Sequence, residues 1–197
     1  WDGIDGFTGT FDGAGHTLTV KLTDACLFLT LAGTVKNLTV AGSVVCTDVT
    51  NIGAIASKIR GGDVVIENCV NRADITGQYQ YGSKIGGMVG FLQYTSSGGT
   101  ASFINCRNYG TISDKSDSGG DIGGILGYDT SEIKPTFTSC ENHGTLKSAG
   151  KGTAGGIVGY TMEGGMTISK CINTGNINVG SFAGGILGRE NYYTDLI

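Results

Sequence analysis

Ile122-Gly123-Gly124-Ile125-Leu126-Gly127-Tyr128 is one copy of a seven-residue stretch that returns along the chain, and its recurrence decides the fold. Further copies read Ile85-Gly86-Gly87-Met88-Val89-Gly90-Phe91, Ala154-Gly155-Gly156-Ile157-Val158-Gly159-Tyr160 and Ala183-Gly184-Gly185-Ile186-Leu187-Gly188-Arg189. A worn copy is Ile52-Gly53-Ala54-Ile55-Ala56-Ser57-Lys58. Their first residues are separated by 33, 37, 32 and 29 positions (85 − 52, 122 − 85, 154 − 122, 183 − 154). Self-similarity at a period of about 20–50 residues is the mark of stacked repeat architectures.

A second signature follows the first: Ile66-Glu67-Asn68-Cys69-Val70-Asn71, Phe103-Ile104-Asn105-Cys106-Arg107-Asn108, Phe137-Thr138-Ser139-Cys140-Glu141-Asn142 and Ile168-Ser169-Lys170-Cys171-Ile172-Asn173. An older relative over Val35–Val44 fits the same frame, with Leu38, Val40 and Val44 alternating with Thr39, Ala41 and Ser43. Period-two alternation belongs to strands, and no helical spacing is sustained. Each unit has room for three short strands. The expected fold is therefore all-β, a right-handed parallel β-helix of about five coils with three strands per coil. A lead-in over 1–34 caps the array, the repeats occupy 35–189, and 190–197 form a tail. The irregular segments 78–84, 93–101, 113–121, 129–136 and 147–153 read as loops at one variable corner.

Composition agrees. The 197 residues include 36 glycines and a single proline, Pro135, without the every-third-residue glycine of collagen. Hydrophobic residues at 39% and charged residues at 15% exclude a disordered chain and leave regular tight turns as the use of the glycine. The net charge of −4, without a Lys/Arg cluster, argues against nucleic acid as a partner. The longest apolar runs are far too short to span a bilayer. A chain that opens at Trp1 with no export signal reads as a mature product or an excised segment.

The Gly-Ile-Leu-Gly of 124–127 and 185–188, Gly-Ile-Val-Gly of 156–159 and Gly-Met-Val-Gly of 87–90 resemble the GLUG motif. The stretch Phe7–Leu18 is similar to the lead-in that precedes such arrays. The resemblance covers about Phe7 to Arg189, with departures at Ala54, Ser57 and residues 26–31. It implies a bacterial exported protein, adhesin-like or an IgA-peptidase-associated repeat region, placed outside the cell or on its surface. It transfers no catalytic residue.

The residues themselves offer few sites. Cys69, Cys106, Cys140 and Cys171 share one repeat position that Leu38 also occupies, so they read as buried reduced thiols rather than disulfides. Cys26 and Cys46 lie outside that column, and a bond between them stays open. The column Asn71, Asn108, Asn142 and Asn173 reads as a structural amide stack. Phe91, Tyr128 and Tyr160 form an aromatic row that ends at Arg189. The loop residues Tyr79, Tyr81 and Tyr94 are the candidate ligand contacts, because solenoid loops carry recognition. Asp114, Asp117 and Asp121 share one glycine-containing loop and form a weak calcium candidate. His16 and His143 stand in unlike contexts, and no nucleophile elbow or zinc-protease motif occurs.

The expected function is a non-catalytic surface or secreted module whose loops bind host or matrix glycans or proteins, with no cofactor. Two alternatives stand beside it: a β-helical polysaccharide lyase or hydrolase, and a pure spacer. The apolar tail residues Tyr192, Tyr193, Leu196 and Ile197 point to continuation or an end-to-end contact at the C-terminal edge.

Overall fold

The computed structural model describes residues 1–93, 98–162 and 165–191. Among them there is no helix, and every strand pairing is parallel. The chain winds through four sides in a fixed order, so that each strand lies beside its counterpart in the next coil. The first side stacks Thr10–Asp12, Thr34–Lys36, Asp63–Glu67, Thr100–Ile104, Thr136–Thr138 and Thr167–Ser169. The second holds Thr17–Thr23, Thr39–Cys46 and Val70–Gly77, and then the split strands Arg107–Asn108 with Ile112–Asp114, Glu141–Asn142 with Leu146–Ser148, and Ile172–Asn173 with Ile177–Asn178. The third comprises Asn51–Gly53, Lys84–Gly86, Asp121–Gly123, Thr153–Gly155 and Phe182–Gly184. The fourth comprises Phe28–Leu31, Ala56–Ile59, Val89–Leu92, Leu126–Asp129, Val158–Thr161 and Leu187–Glu190. This is a parallel β-solenoid. The five repeat units sit on a further coil made by residues 10–31.

The glycine signature explains why three expected strands become four sides. Gly86-Gly87 bends the chain sharply between the third and fourth sides, which then lie against each other. A Cβ on Gly86 would stand 1.9 Å from the Val89 carbonyl oxygen, and one on Gly90 2.3 Å from the Ile52 nitrogen. Only glycine permits that approach. Where the worn copy carries Ser57 instead, the hydroxyl donates to the Asn51 carbonyl at 2.7 Å and uses the contact. The corner between the first and second sides is equally tight. One residue turns it in the left-handed region, at Asn37, Asn68, Asn105, Ser139 and Lys170 (φ 53°, 52°, 51°, 54° and 55°). Asparagine tolerates that conformation best among residues with a side chain. The expected single variable corner is in fact two. Loops 78–84, 113–121 and 147–153 join the second and third sides, while 93–101 and 129–136 join the fourth and first. The other two corners are held by glycine or a left-handed residue and admit no insertion.

Inside, each residue meets its own counterpart. Ile66, Phe103 and Phe137 stack in register, and the two phenyl rings lie 4.8 Å apart at 7°. The asparagine column forms a continuous amide ladder: Asn71 Nδ2 donates to Asn108 Oδ1 at 2.7 Å, Asn108 to Asn142 at 2.7 Å, and Asn142 to Asn173 at 2.8 Å. Each amide also donates to a carbonyl two residues on, Ala73, Gly110, Gly144 or Gly175. In Asn71, Asn108 and Asn142 both amide protons are thereby used, which lets these polar groups remain fully buried. The cysteines are free thiols, as the column suggested. Cys106 Sγ donates to the Ile66 carbonyl at 3.2 Å and Cys140 Sγ to the Phe103 carbonyl at 3.3 Å, each reaching into the preceding coil. Cys26 and Cys46 are likewise free and buried. Burial pushes the Cys69 thiol up to about 11 and that of Cys26 up to about 12, so neither is a thiolate nucleophile.

Two outcomes follow. Asn108→Ala removes a central rung and strands an amide on each side, costing roughly 2–4 kcal/mol, whereas Asn173→Ala at the outer coil costs about 1 kcal/mol. Equal costs in urea titrations would contradict the ladder. Thiol titration should find all six cysteines after denaturation and almost none that react rapidly in the native protein.

Candidate functional site

A concavity lies where the second and third sides meet in the early coils. It is a cleft of about 380 Å³ lined by Thr47, Asp48, Gln78, Tyr79 and Gln80. Its two walls are consecutive corner loops, each tied to the solenoid. On one wall the Asp24 carboxylate accepts from the backbone N–H of Thr47 at 2.6 Å and of Asp48 at 3.2 Å. These bonds hold the Asp24 carboxyl below the usual carboxylate range. On the other wall the Gln78 N–H donates to the Cys46 carbonyl at 2.8 Å, and Gly82 N–H closes a turn onto the Tyr79 carbonyl at 2.9 Å. Ser118 Oγ from the next loop donates to the Gln80 carbonyl at 2.9 Å.

Of the three loop tyrosines singled out from the sequence, two come together here. Tyr79 and Tyr81 meet edge to face with ring centroids 5.6 Å apart, and Tyr81 is 71% exposed. Tyr94 lies outside the described residues. The cleft combines one carboxylate, two primary amides, a hydroxyl and an aromatic pair, a set suited to accepting and donating hydrogen bonds to a polyhydroxylated ligand. Among the described residues that line it, Asp48 is the one carboxylate, with Asp24 behind it held by the Thr47 and Asp48 N–H groups.

The aromatic row is a different kind of feature. Phe91 and Tyr128 stack at 5.6 Å, and Tyr128 and Tyr160 follow at 5.1 Å. Lys84 Nζ sits 5.3 Å from the Phe91 centroid and 5.2 Å from that of Tyr128, while Arg189 covers Tyr160 at 5.3 Å. The ring faces are spent on one another and on cations. They are therefore not free to stack on a sugar.

The column that follows the ladder asparagines, Arg72, Tyr109, His143 and Thr174, lines up on the second side. The Arg72 guanidinium lies 4.6 Å from the Tyr109 centroid, and Tyr109 stacks on His143 at 4.9 Å. His143 Nδ1 meets Thr174 Oγ1 at 2.6 Å and its Nε2 meets Glu141 Oε2 at 2.9 Å, with Arg107 Nε 3.2 Å from the same oxygen. Hydroxyl, imidazole and carboxylate are in sequence, but the N–H groups beside the hydroxyl, those of Thr174 and Gly175, already donate to the Asn142 carbonyl. Neither N–H is therefore turned toward the hydroxyl as an oxyanion donor. Arg72, Tyr109, His143 and Thr174 each directly follow a ladder asparagine, so the repeat frame itself sets them one coil apart.

The acidic loop separates. Asp114 is buried, with Ser116 Oγ donating to its Oδ2 at 2.7 Å; Asp117 is exposed; Asp121 stands beside Thr153 and near Lys84 and Arg189. Among the described residues no group of three or more His, Cys, Asp or Glu side chains is placed to hold a metal ion. Burial pushes the Asp121 carboxyl up to about 6, against the opposing pull of Lys84.

No family model and no curated protein matches the chain. In structure it is similar to a Bacteroides ovatus protein named a "putative immunoglobulin A1 protease", with a TM-score of 0.55 and 18% identity over 89% of this chain and 68% of that one. At that identity the likeness establishes the fold alone. Among the described residues no helix is long and apolar enough to cross a membrane.

The raised Asp121 carboxyl has a direct consequence. A folded-state value above the unfolded 3.8 means that stability is present at low pH and lost as pH rises from there through about 6. Asp121→Asn should therefore stabilise the protein at pH 7 by on the order of 1 kcal/mol and have little effect at pH 4. Denaturant titrations of both proteins at the two pH values check it; an equal effect at both would contradict the assignment.

Proposed function

We propose that this chain is a binding module of a larger exported bacterial protein, adhesin-like, in which the solenoid holds corner loops rigidly and the 47–48/78–81 cleft receives host or matrix glycans. The observation that carries this reading is the cleft itself, with Asp48, Gln78, Gln80 and Tyr79 converging on one concavity and Tyr81 exposed beside it. A stacked coil supplies rigidity at little entropic cost to binding, because the loop walls are already tied down. Placement outside the cell agrees with the GLUG resemblance and with the name of the Bacteroides structure.

The test is a panel of polysaccharides and mucins scored both for retention and for released product. The wild-type chain should be retained by at least one glycan without releasing product. Tyr79→Ala combined with Tyr81→Ala should weaken that retention about tenfold, the loss expected when an aromatic contact worth about 1.4 kcal/mol disappears. Release of product would instead favour a β-helical polysaccharide-active enzyme. Silence across the panel would favour a spacer.

A further inference from the structure

The two walls of the 47–48/78–81 cleft differ in what they can offer a ligand. On the wall made by residues 47 and 48, the hydrogen-bond donors are already committed inward. The Asp24 carboxylate takes the backbone N–H of Thr47 at 2.6 Å and of Asp48 at 3.2 Å. The Thr47 hydroxyl donates to the same carboxylate, 3.2 Å from each of its oxygens. Asp48 contributes a second carboxylate, which accepts and cannot donate when ionised. What this wall has left for a ligand is acceptor oxygen, backed by the charge of Asp24.

The facing wall is neutral. Its side chains, Gln78, Tyr79 and Gln80, each both donate and accept. No Lys, Arg or His is among the residues that line the cleft. Lys115 follows Gln78 in the same column one coil on, its N–H donating to the Gly77 carbonyl, and lies outside the lining. A ligand group seated against the 47–48 wall must therefore bring a proton to donate and must not bring negative charge. Sugar hydroxyls, amide N–H groups and amines meet both conditions. Ionised carboxylates and sulfates meet neither, since they only accept and carry the same sign as the wall.

We propose that the cleft selects neutral or amine-bearing glycans and rejects those carrying sialic acid, uronate or sulfate groups, with Asp48 as the residue that sets the selectivity. This inference rests on the glycan reading of the cleft and narrows its ligand class. Discrimination comes from the wall and not from the overall charge of −4. Asp48 is exposed, so solvent and salt screen its repulsion and hold the discrimination to about fivefold at low ionic strength.

Retention on mucin before and after sialidase treatment, and on dextran against dextran sulfate, reads the selectivity at low ionic strength. The wild type should hold desialylated mucin about fivefold more strongly than its sialylated parent. Asp48→Asn removes the charge and supplies N–H donors, so retention of sialylated mucin should rise and bring the ratio near one. Glu132→Gln makes the same change of net charge in the 129–136 loop at the other variable corner and should keep the wild-type ratio. Acidic members held as strongly as their uncharged counterparts by the wild type would overturn the inference. So would a ratio that Asp48→Asn leaves unchanged. In both cases the cleft reading survives if the Tyr79→Ala, Tyr81→Ala pair still weakens retention. Retention of neither member of either pair, or retention indifferent to the tyrosine substitutions, would remove the cleft as the binding site, and the inference falls with it.

Discussion

The constraint on which this molecule depends is in-register parallel stacking. Every side chain must be compatible with its counterpart about 4.8 Å away along the axis. Inside the coil that rule favours residues that tolerate their own kind. Apolar side chains do so trivially, as Ile66, Phe103 and Phe137 show. Asparagine does so because its amide donates and accepts at opposite ends, making a chain that extends through the coils without an orphan until its last member. Cysteine does so as a small hydrophobe whose weak donor reaches the carbonyl of the coil below. Outside the coil the same rule forbids runs of one charge. The exposed columns place a cation against a ring or a carboxylate, as in Arg72 on Tyr109 and Arg107 on Glu141.

The two repeated signatures are physically one device. The second glycine of the Gly-Gly pair packs against the asparagine of the ladder: a Cβ on Gly124 would stand 2.7 Å from Asn142 Cβ, and one on Gly156 2.5 Å from Asn173 Cβ. The same positions approach the carbonyl of the matching glycine in the next coil at 2.0 Å. Glycine is therefore demanded twice over, by the coil's opposite side and by its neighbour. That coupling accounts for the co-occurrence of both signatures in the later units.

Stacking made the architecture legible and the site obscure. A fold built from one rule repeated announces itself through Gly123-Gly124 and Cys140-x-Asn142, so the solenoid, the thiol column and the amide ladder could be read directly. The four-sided coil could not, because the bend at Gly86-Gly87 comes from backbone contact with another coil and leaves no hydrophobic alternation to count. The second variable corner was hidden for the same reason: loop lengths show where insertions occur, not which corner they leave from. Tyr79 and Tyr81 were recoverable as loop aromatics, whereas Asp48 and Gln78 join them only through the registration of Thr39–Cys46 against Val70–Gly77.

Stacking also decides where recognition can occur. On the flat sides, a ring placed in a column turns its faces to the residues above and below, so the most conspicuous aromatics, Phe91, Tyr128 and Tyr160, are the least available to a ligand. A ring escapes that fate only where the coil departs from the repeat. Tyr81 does so in a corner loop, with Tyr79 meeting it edge-on and no counterpart ring in register. The regularity that makes the rod rigid therefore empties its faces of binding capacity and transfers that capacity to its irregularities. In a solenoid of this kind, departures from the repeat are the place to look for function, and the 47–48/78–81 corner is where two departures in adjacent coils face each other.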